Sequence, residues 1–263
     1  MEPVIEFLQC RQNADRDKIY SAVSALWALS FKDSQEYIWQ FCQDMPLIGA
    51  VLAKDGERTA GMALLLQPDP AKKLYYGYGV CTHPDDRGRG ICTRIHEKIR
   101  SICEDGGAGY FVRPADPSLI PLYDRLGLQI LQWEDQRIVT TDKVISHALL
   151  SPEEYAWLRE RYFAAAGLCA WDTSALQFMC REGYTAAGFS VEGADCAAFL
   201  LEEERVVCEI CAPGSLLEQA AIYAASALGG QAVVRFPGNK RLDSGAVMGY
   251  GTGEAFYFNL YME

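Results

Sequence analysis

Residues 80–93, Val-Cys-Thr-His-Pro-Asp-Asp-Arg-Gly-Arg-Gly-Ile-Cys-Thr, constrain this chain more than any other stretch. An apolar, aromatic run ends at Thr82. A tight turn holding Arg87, Gly88, Arg89 and Gly90 follows, and helical spacing begins at about Gly90 and continues through Ile91, Cys92 and Thr93. Strand, glycine-rich turn and helix N-terminus in that order build an anion site. Glycine lets the backbone take φ > 0 and approach a ligand closely. The first helical turn carries N–H groups with no intrahelical partner, and the helix dipole favours negative charge there. Arg87 and Arg89 add permanent positive charge in a fork that suits phosphate. The stretch therefore predicts a phosphate or pyrophosphate site. It is not a P-loop, because no Gly-Lys-Ser/Thr occurs in the chain, and not a dinucleotide fingerprint, because Thr93 stands where the third glycine belongs.

The composition narrows the partners. Net charge is −11, which argues against a nucleic-acid footprint. His83, His96 and His147 are too scattered to suggest zinc, and no metal is expected. Most of the ten cysteines sit in apolar periodic runs, and the N-terminus Met-Glu-Pro-Val-Ile-Glu has neither a basic flank nor an apolar segment of signal-peptide type, so reduced thiols in a cytoplasmic protein are expected. Cys208 and Cys211 have metal or redox spacing but lack a second pair and fall in a predicted strand. The most apolar stretch, 216–234, is interrupted by Glu218, Gln219 and Gly229-Gly230, so no membrane span is expected.

Periodicity and turn residues predict a strand at 4–8, helices at 15–29 and from Asp33 or Ser34 to Cys42, a hairpin of 47–53 and 59–67, and a strand at 74–82. The helix after the glycine turn runs to about Glu104 with Ile91, Ile95, Ile99 and Ile102 on one stripe, and Gly106-Gly107 ends it. A strand at 108–113, a helix at 117–126 and strands at 128–133 and 136–140 follow.

The second half starts the pattern again. Ser151-Pro152-Glu153-Glu154 is a capping box opening a helix to about Phe163, and 173–181 is a second helix. Strands are expected at 186–191, 195–201 and 205–210, a helix at 215–228, and strands at 231–235 and 255–261. The run Gly106 to Pro114 is similar to Gly229 to Pro237, each following a helix. Yet the turn before the second of these helices is Cys211-Ala212-Pro213-Gly214, with no arginine and no Gly-x-Gly. The domains expected are 1–145, carrying the anion loop, and 146–263, a degenerate copy.

Two segments resemble the GNAT superfamily of general N-acetyltransferases. Arg87, Gly90 and Cys92 take the three positions of that family's Gln/Arg-x-x-Gly-x-Gly/Ala loop, with Cys92 a departure, and the preceding Val-x-Thr-His-Pro is similar to the family's strand end. Leu122-Tyr123-Asp124-Arg125-Leu126-Gly127-Leu128 is similar to the family's Leu-Tyr-x-x-x-Gly-Phe, with Leu128 for Phe, and Asp116 stands where the family often has a cofactor-contacting Asn. The element order matches as well. The resemblance implies an α/β (α+β) fold of the GNAT acyl-CoA N-acyltransferase type, a mixed twisted sheet flanked by helices, followed by a second, smaller GNAT-like α/β domain. It implies acetyl-CoA as acyl donor, held by the backbone of Val80, Cys81 and Thr82 and by the loop from Arg87 to Thr93.

Acyl transfer also needs proton handling. The resemblance assigns Tyr123 as general acid, and a phenol of ordinary pKa near 10 lies close enough to a thiol near 8.5 to protonate it. The base is open. The strand before the loop reads Tyr75-Tyr76-Gly77-Tyr78-Gly79 and has no Glu, so Tyr76 and Tyr78 either line an acceptor cleft and relay a proton or pack as core aromatics. Glu263 and Glu97 are weaker candidates. The expected function is transfer of acetyl from acetyl-CoA to a primary amine of a small molecule or peptide; the alternative is a non-catalytic acyl-CoA-binding sensor. Residues 1–150 carry a net charge of −3 and 151–263 a net −8, which favours a cationic acceptor such as a polyamine, amino sugar or lysine. The sequence leaves a monomer or a homodimer open.

Overall fold

The computed structural model describes residues 2–238, 245–252 and 256–258. In chain order the elements are β1 (Val4–Gln9), α1 (Asn13–Phe31), α2 (Gln35–Asp44), β2 (Leu47–Asp55), β3 (Arg58–Leu66), β4 (Leu74–Thr82), α3 (Ile91–Gly106), β5 (Gly109–Val112), α4 (Ile120–Arg125) and β6 (Gln129–Thr140). They continue with β7 (Ala148–Leu149), α5 (Pro152–Phe163), α6 (Thr173–Arg181), β8 (Tyr184–Val191), β9 (Ala194–Leu201), β10 (Val206–Cys211), α7 (Leu217–Ala227), β11 (Gln231–Gly238) and β12 (Gly245–Tyr250).

The elements gather into two compact units that are not consecutive halves of the chain. The first holds Met1–Arg113, Pro121–Gln129 and Met248–Thr252; the second holds Pro114–Ile120, Ile130–Val247 and Gly253–Glu263. Each unit thus takes its last strand from the opposite half of the sequence.

In the first unit the strands lie in the order β1-β2-β3-β4-β5, antiparallel except for the parallel pair β4–β5, and Met248–Tyr250 of β12 runs antiparallel on β5. β3 is buried from Thr59 to Leu66, the pattern of a strand covered on both faces. α1 contributes Ile19, Val23, Leu26 and Trp27 to one side. α3 contributes Ile91, Ile95 and Ile99, and the buried stripe ends on Cys103 because Ile102 is only partly covered. Ser34 caps α2 by accepting from the Tyr37 N–H, as its position suggests.

The second unit repeats this plan. Its order is β7-β8-β9-β10-β11-β6, with β10–β11 the parallel pair and β6 antiparallel on β11. Ala220, Ala221, Ala224 and Ala225 put small side chains on the buried face of α7, against Val207, Ile210, Val234 and Phe236. Ser151 and Glu154 form the expected capping box.

Three sequence expectations are corrected. The two strands at 128–133 and 136–140 are one continuous strand, β6, because Glu134 is buried near Arg235, Oε1 to Nε 4.0 Å, rather than sitting in a turn. The helix at 117–126 is a short 3-10 turn, Pro117–Leu119, followed by α4. β7 and β12 were not anticipated. The strand expected at 255–261 falls largely outside the described residues; of the part within them, Tyr257 makes an isolated bridge to Leu168, and Glu263 lies outside them. All ten cysteines are free thiols. No described helix is long and apolar enough to cross a membrane.

Candidate active site

β4 and β5 begin as neighbours and then part. Their parallel pairing runs from Leu74↔Gly109 to Gly77↔Val112, where β5 ends, while β4 continues to Thr82. Opposite β3 the register slips between Met62↔Cys81 and Leu64↔Tyr78, so β4 holds an extra residue there, and Gly79 takes φ 61. Such a bulge bends a strand and increases its local twist. Val80, Cys81 and Thr82, all partly exposed, thus form a strand edge that β5 does not cover, suited to hydrogen-bond an extended ligand.

The loop beyond is held from below. His83 caps the short turn Pro84–Asp86, its Nδ1 accepting from the Asp85 N–H. Asp86 is buried and paired with Arg58 of β3, 2.7 Å, and with Arg89 of the loop itself. The Arg58 guanidinium first, and Arg89 after it, hold the Asp86 carboxyl below the usual carboxylate range. Arg89 therefore spends part of its charge anchoring the loop. Arg87 is exposed and makes no ion pair among the described residues, so its guanidinium is available to an anion.

Gly88 at φ 78 and Gly90 at φ 72 turn the chain into α3 in the left-handed region that other residues avoid. Gly90 is the N-cap, offers no side-chain cap, and the first turn has no acidic residue. Arg94 N–H is the first to find a helical acceptor, Gly90 O at 3.1 Å, which leaves the N–H groups of Ile91, Cys92 and Thr93 for a ligand. Gly61 of β3 lets this helix end sit close, since a Cβ there would collide with Ile91 and Ile95. The sequence offered one signal for it, a lone glycine inside an apolar strand.

Tyr123 projects from α4 and is buried, its ring 5.5 Å from that of His96 on α3 in an edge-to-face contact. Burial, then the nearby Cys92 and Tyr76, push its phenol above the ordinary value, which keeps it protonated but widens the gap to a thiol near 8.5 that the acid role must bridge. His96 was overlooked by sequence reasoning. Burial lowers its pKa, so the ring is neutral. Its Nδ1 is 2.9 Å from the Cys92 carbonyl, which only accepts, so Nδ1 carries the proton and Nε2 takes the Tyr110 hydroxyl at 3.4 Å. Burial raises the thiol of Cys92, and that of Cys81 to about 11. Tyr78 stacks on Phe41 at 4.7 Å and meets Tyr76 at 6.2 Å, so the two tyrosines share a face; burial and Tyr37 raise its phenol well above 10. Asp116 accepts from the Ser118 N–H at 2.8 Å as cap of the 3-10 turn, and its ionised form is favoured by Ser118. Glu97 is exposed on α3.

The acetyltransferase (GNAT) family matches residues 16–128, which run from α1 through α4 and contain the whole loop. Residues 16–128 are thus a GNAT-type domain by sequence. Solved structures share the fold across nearly the full length of the chain, second unit included. A GCN5-related N-acetyltransferase from Anabaena variabilis superposes with a TM-score of 0.64 at 11% identity, covering 95% of this chain and 73% of that one. One from Kribbella flavida gives 0.61 at 14%, covering 94% and 71%. A tandem GNAT protein from the clavulanic acid biosynthesis pathway gives 0.56 at 11%, covering 96% and 100%. At such identities the likeness speaks for the fold alone. No curated protein matches in sequence. Acyl transfer is the chemistry of the family that residues 16–128 match.

Proposed function

We propose that the protein transfers an acetyl group from acetyl-CoA to a primary amine, directly and without an acyl-enzyme. The observation that carries this reading is the uncapped N-terminus of α3 beside the uncovered tail of β4, with Tyr123 against His96 one turn along α3. The pyrophosphate would rest on the N–H groups of Ile91, Cys92 and Thr93, with Arg87 at its edge. The extended arm of the cofactor would pair with Val80, Cys81 and Thr82, whose N–H groups can stabilise the carbonyl oxygen as charge develops on it. The amine attacks the thioester carbon; collapse of the tetrahedral adduct breaks the C–S bond, the leaving thiolate takes its proton from Tyr123, and the proton lost by the amine nitrogen passes to solvent, from which Tyr123 is reprotonated. The raised thiols of Cys81 and Cys92 argue for direct transfer, since the thiolate is the nucleophilic form.

Tyr78 stays protonated, so its part is to line the acceptor cleft and pass a proton onward rather than to hold one as a standing base. The net −8 of residues 151–263 favours a cationic acceptor. Turnover followed by mass across a panel of polyamines, amino sugars and lysine peptides tests the activity, and the acceptor KM is expected to rise between low and physiological salt. A KM that stays flat removes steering by the acidic half.

A second reading, an acyl-CoA-binding sensor, is favoured by one observation: β4 carries no carboxylate. Acetylated product from any amine in the panel rejects it.

A further inference from the structure

The second unit carries a cleft outside any part of the proposed acyl-transfer site. β7 is two residues long and pairs with β8 only at Ala148↔Gly188 and Leu149↔Ala187, while β8 runs on to Val191. Beside this short strand, under α5, lies a cleft of about 540 Å³. That is ample for a small organic ligand. Its walls are apolar: Leu150, which packs onto the bare face of Gly188, with Leu158 and Phe189. Trp157, 60% exposed, stands at its side.

Its polar lining has one sign. Glu153, Glu154 and Asp195 contribute carboxylates, and no lysine, arginine or histidine is among the described residues that line the cleft, with Arg161 at its rim. Glu154 is held by the Ser151 N–H and hydroxyl through Oε2, which keeps it ionised. Among the described residues, Glu153 accepts a long bond from Gln177, 3.3 Å. Arg161 of the same helix already uses both groups from the rim, so an incoming cationic head must displace it. Its guanidinium lies 5.4 Å from the Trp157 ring centroid and 3.6 Å from the Asp195 carboxylate. An aromatic face beside a carboxylate is the chemistry that holds an organic cation.

We propose that this cleft binds an amphiphilic organic cation, an alkylammonium whose charged head meets Asp195, Glu153 and Trp157 and whose apolar body lies on Leu150, Leu158 and Phe189. The site is independent of the acetyl-CoA reading, because every residue in it belongs to the second unit.

Isothermal titration of the full chain with hexylammonium, and with hexanol as the uncharged equivalent, tests it. The charged ligand is expected to bind about tenfold more tightly than hexanol, the combined worth of one exposed cation–π contact and two surface charges. Glu153→Gln combined with Asp195→Asn is expected to remove that advantage while thermal unfolding stays put, and Trp157→Ala to weaken hexylammonium several-fold. Equal affinity for the two ligands, an unchanged affinity in the double variant, or no binding of hexylammonium would overturn the proposal.

Discussion

The first unit enters α3 through two arginines and two left-handed glycines; the second enters α7 through Ala212-Pro213-Gly214 and a 3-10 turn. The framework around the two turns is the same. In each, a parallel pair opens the crossover and stops early, at Gly77↔Val112 and at Val207↔Val234. In each, the leading strand slips register against its antiparallel neighbour, at Gly79 in β4 and between Val207 and Glu209 in β10. The charges then diverge. α3 begins with no acidic residue, whereas α7 has Glu218 in its first turn, bound to Arg137 at 2.7 Å. β10 carries Glu209, fully buried, accepting from Arg159 at 2.6 Å and from the Tyr155 hydroxyl at 2.7 Å. The fold makes the opening in both units, and the loop decides whether an anion is welcome. An acid at a helix N-terminus repels an anion where bare N–H groups would attract it.

The largest expected effect breaks the first loop. Arg87→Ala with Gly90→Val removes a charged donor and forces a β-branched residue into φ 72, so acetyl-CoA affinity should fall about 10³-fold with the circular dichroism spectrum intact. Affinity within a few-fold of the parent would mean that the pyrophosphate sits elsewhere. Glu209→Gln strips the second unit of its buried charge partner and leaves Arg159 uncompensated, which should cost about 3–5 kcal/mol in denaturant unfolding. A change below about 1 kcal/mol would show that this pair does not hold β10 to α5.

Tyr123→Phe should lower kcat about 10²-fold with acetyl-CoA affinity preserved. Its pH dependence sharpens the point. A general acid must be protonated, and burial raises the Tyr123 pKa, so proton loss from it is displaced to higher pH than for a free phenol near 10. The parent enzyme should therefore show no fall in kcat up to about pH 10. An alkaline limb centred near pH 8.5 that vanishes in Tyr123→Phe would contradict the burial argument.

Much of this was legible locally. The turn at 87–90, the stripe of Ile91, Ile95 and Ile99, and the box at Ser151 and Glu154 are short-range patterns, and the structure keeps them. What escaped depends on partners far along the chain. Glu134 looks like a turn residue until Arg235 is beside it, which is why β6 reads as two strands. β12 is defined by pairing with β5, and the exchange of last strands between units has no local mark. His96 reads as an unremarkable helix position; its neutral tautomer follows only from Tyr110, which another element supplies. The role of Gly61 likewise depends on how closely α3 approaches β3.

The central claim is that the loop at the start of α3, and not its counterpart before α7, holds the acyl donor. Isothermal titration of the full chain with acetyl-CoA tests it most directly. One equivalent per chain, lost in the Arg87→Ala, Gly90→Val variant, is the result predicted; two equivalents, or none up to millimolar concentration, would contradict it.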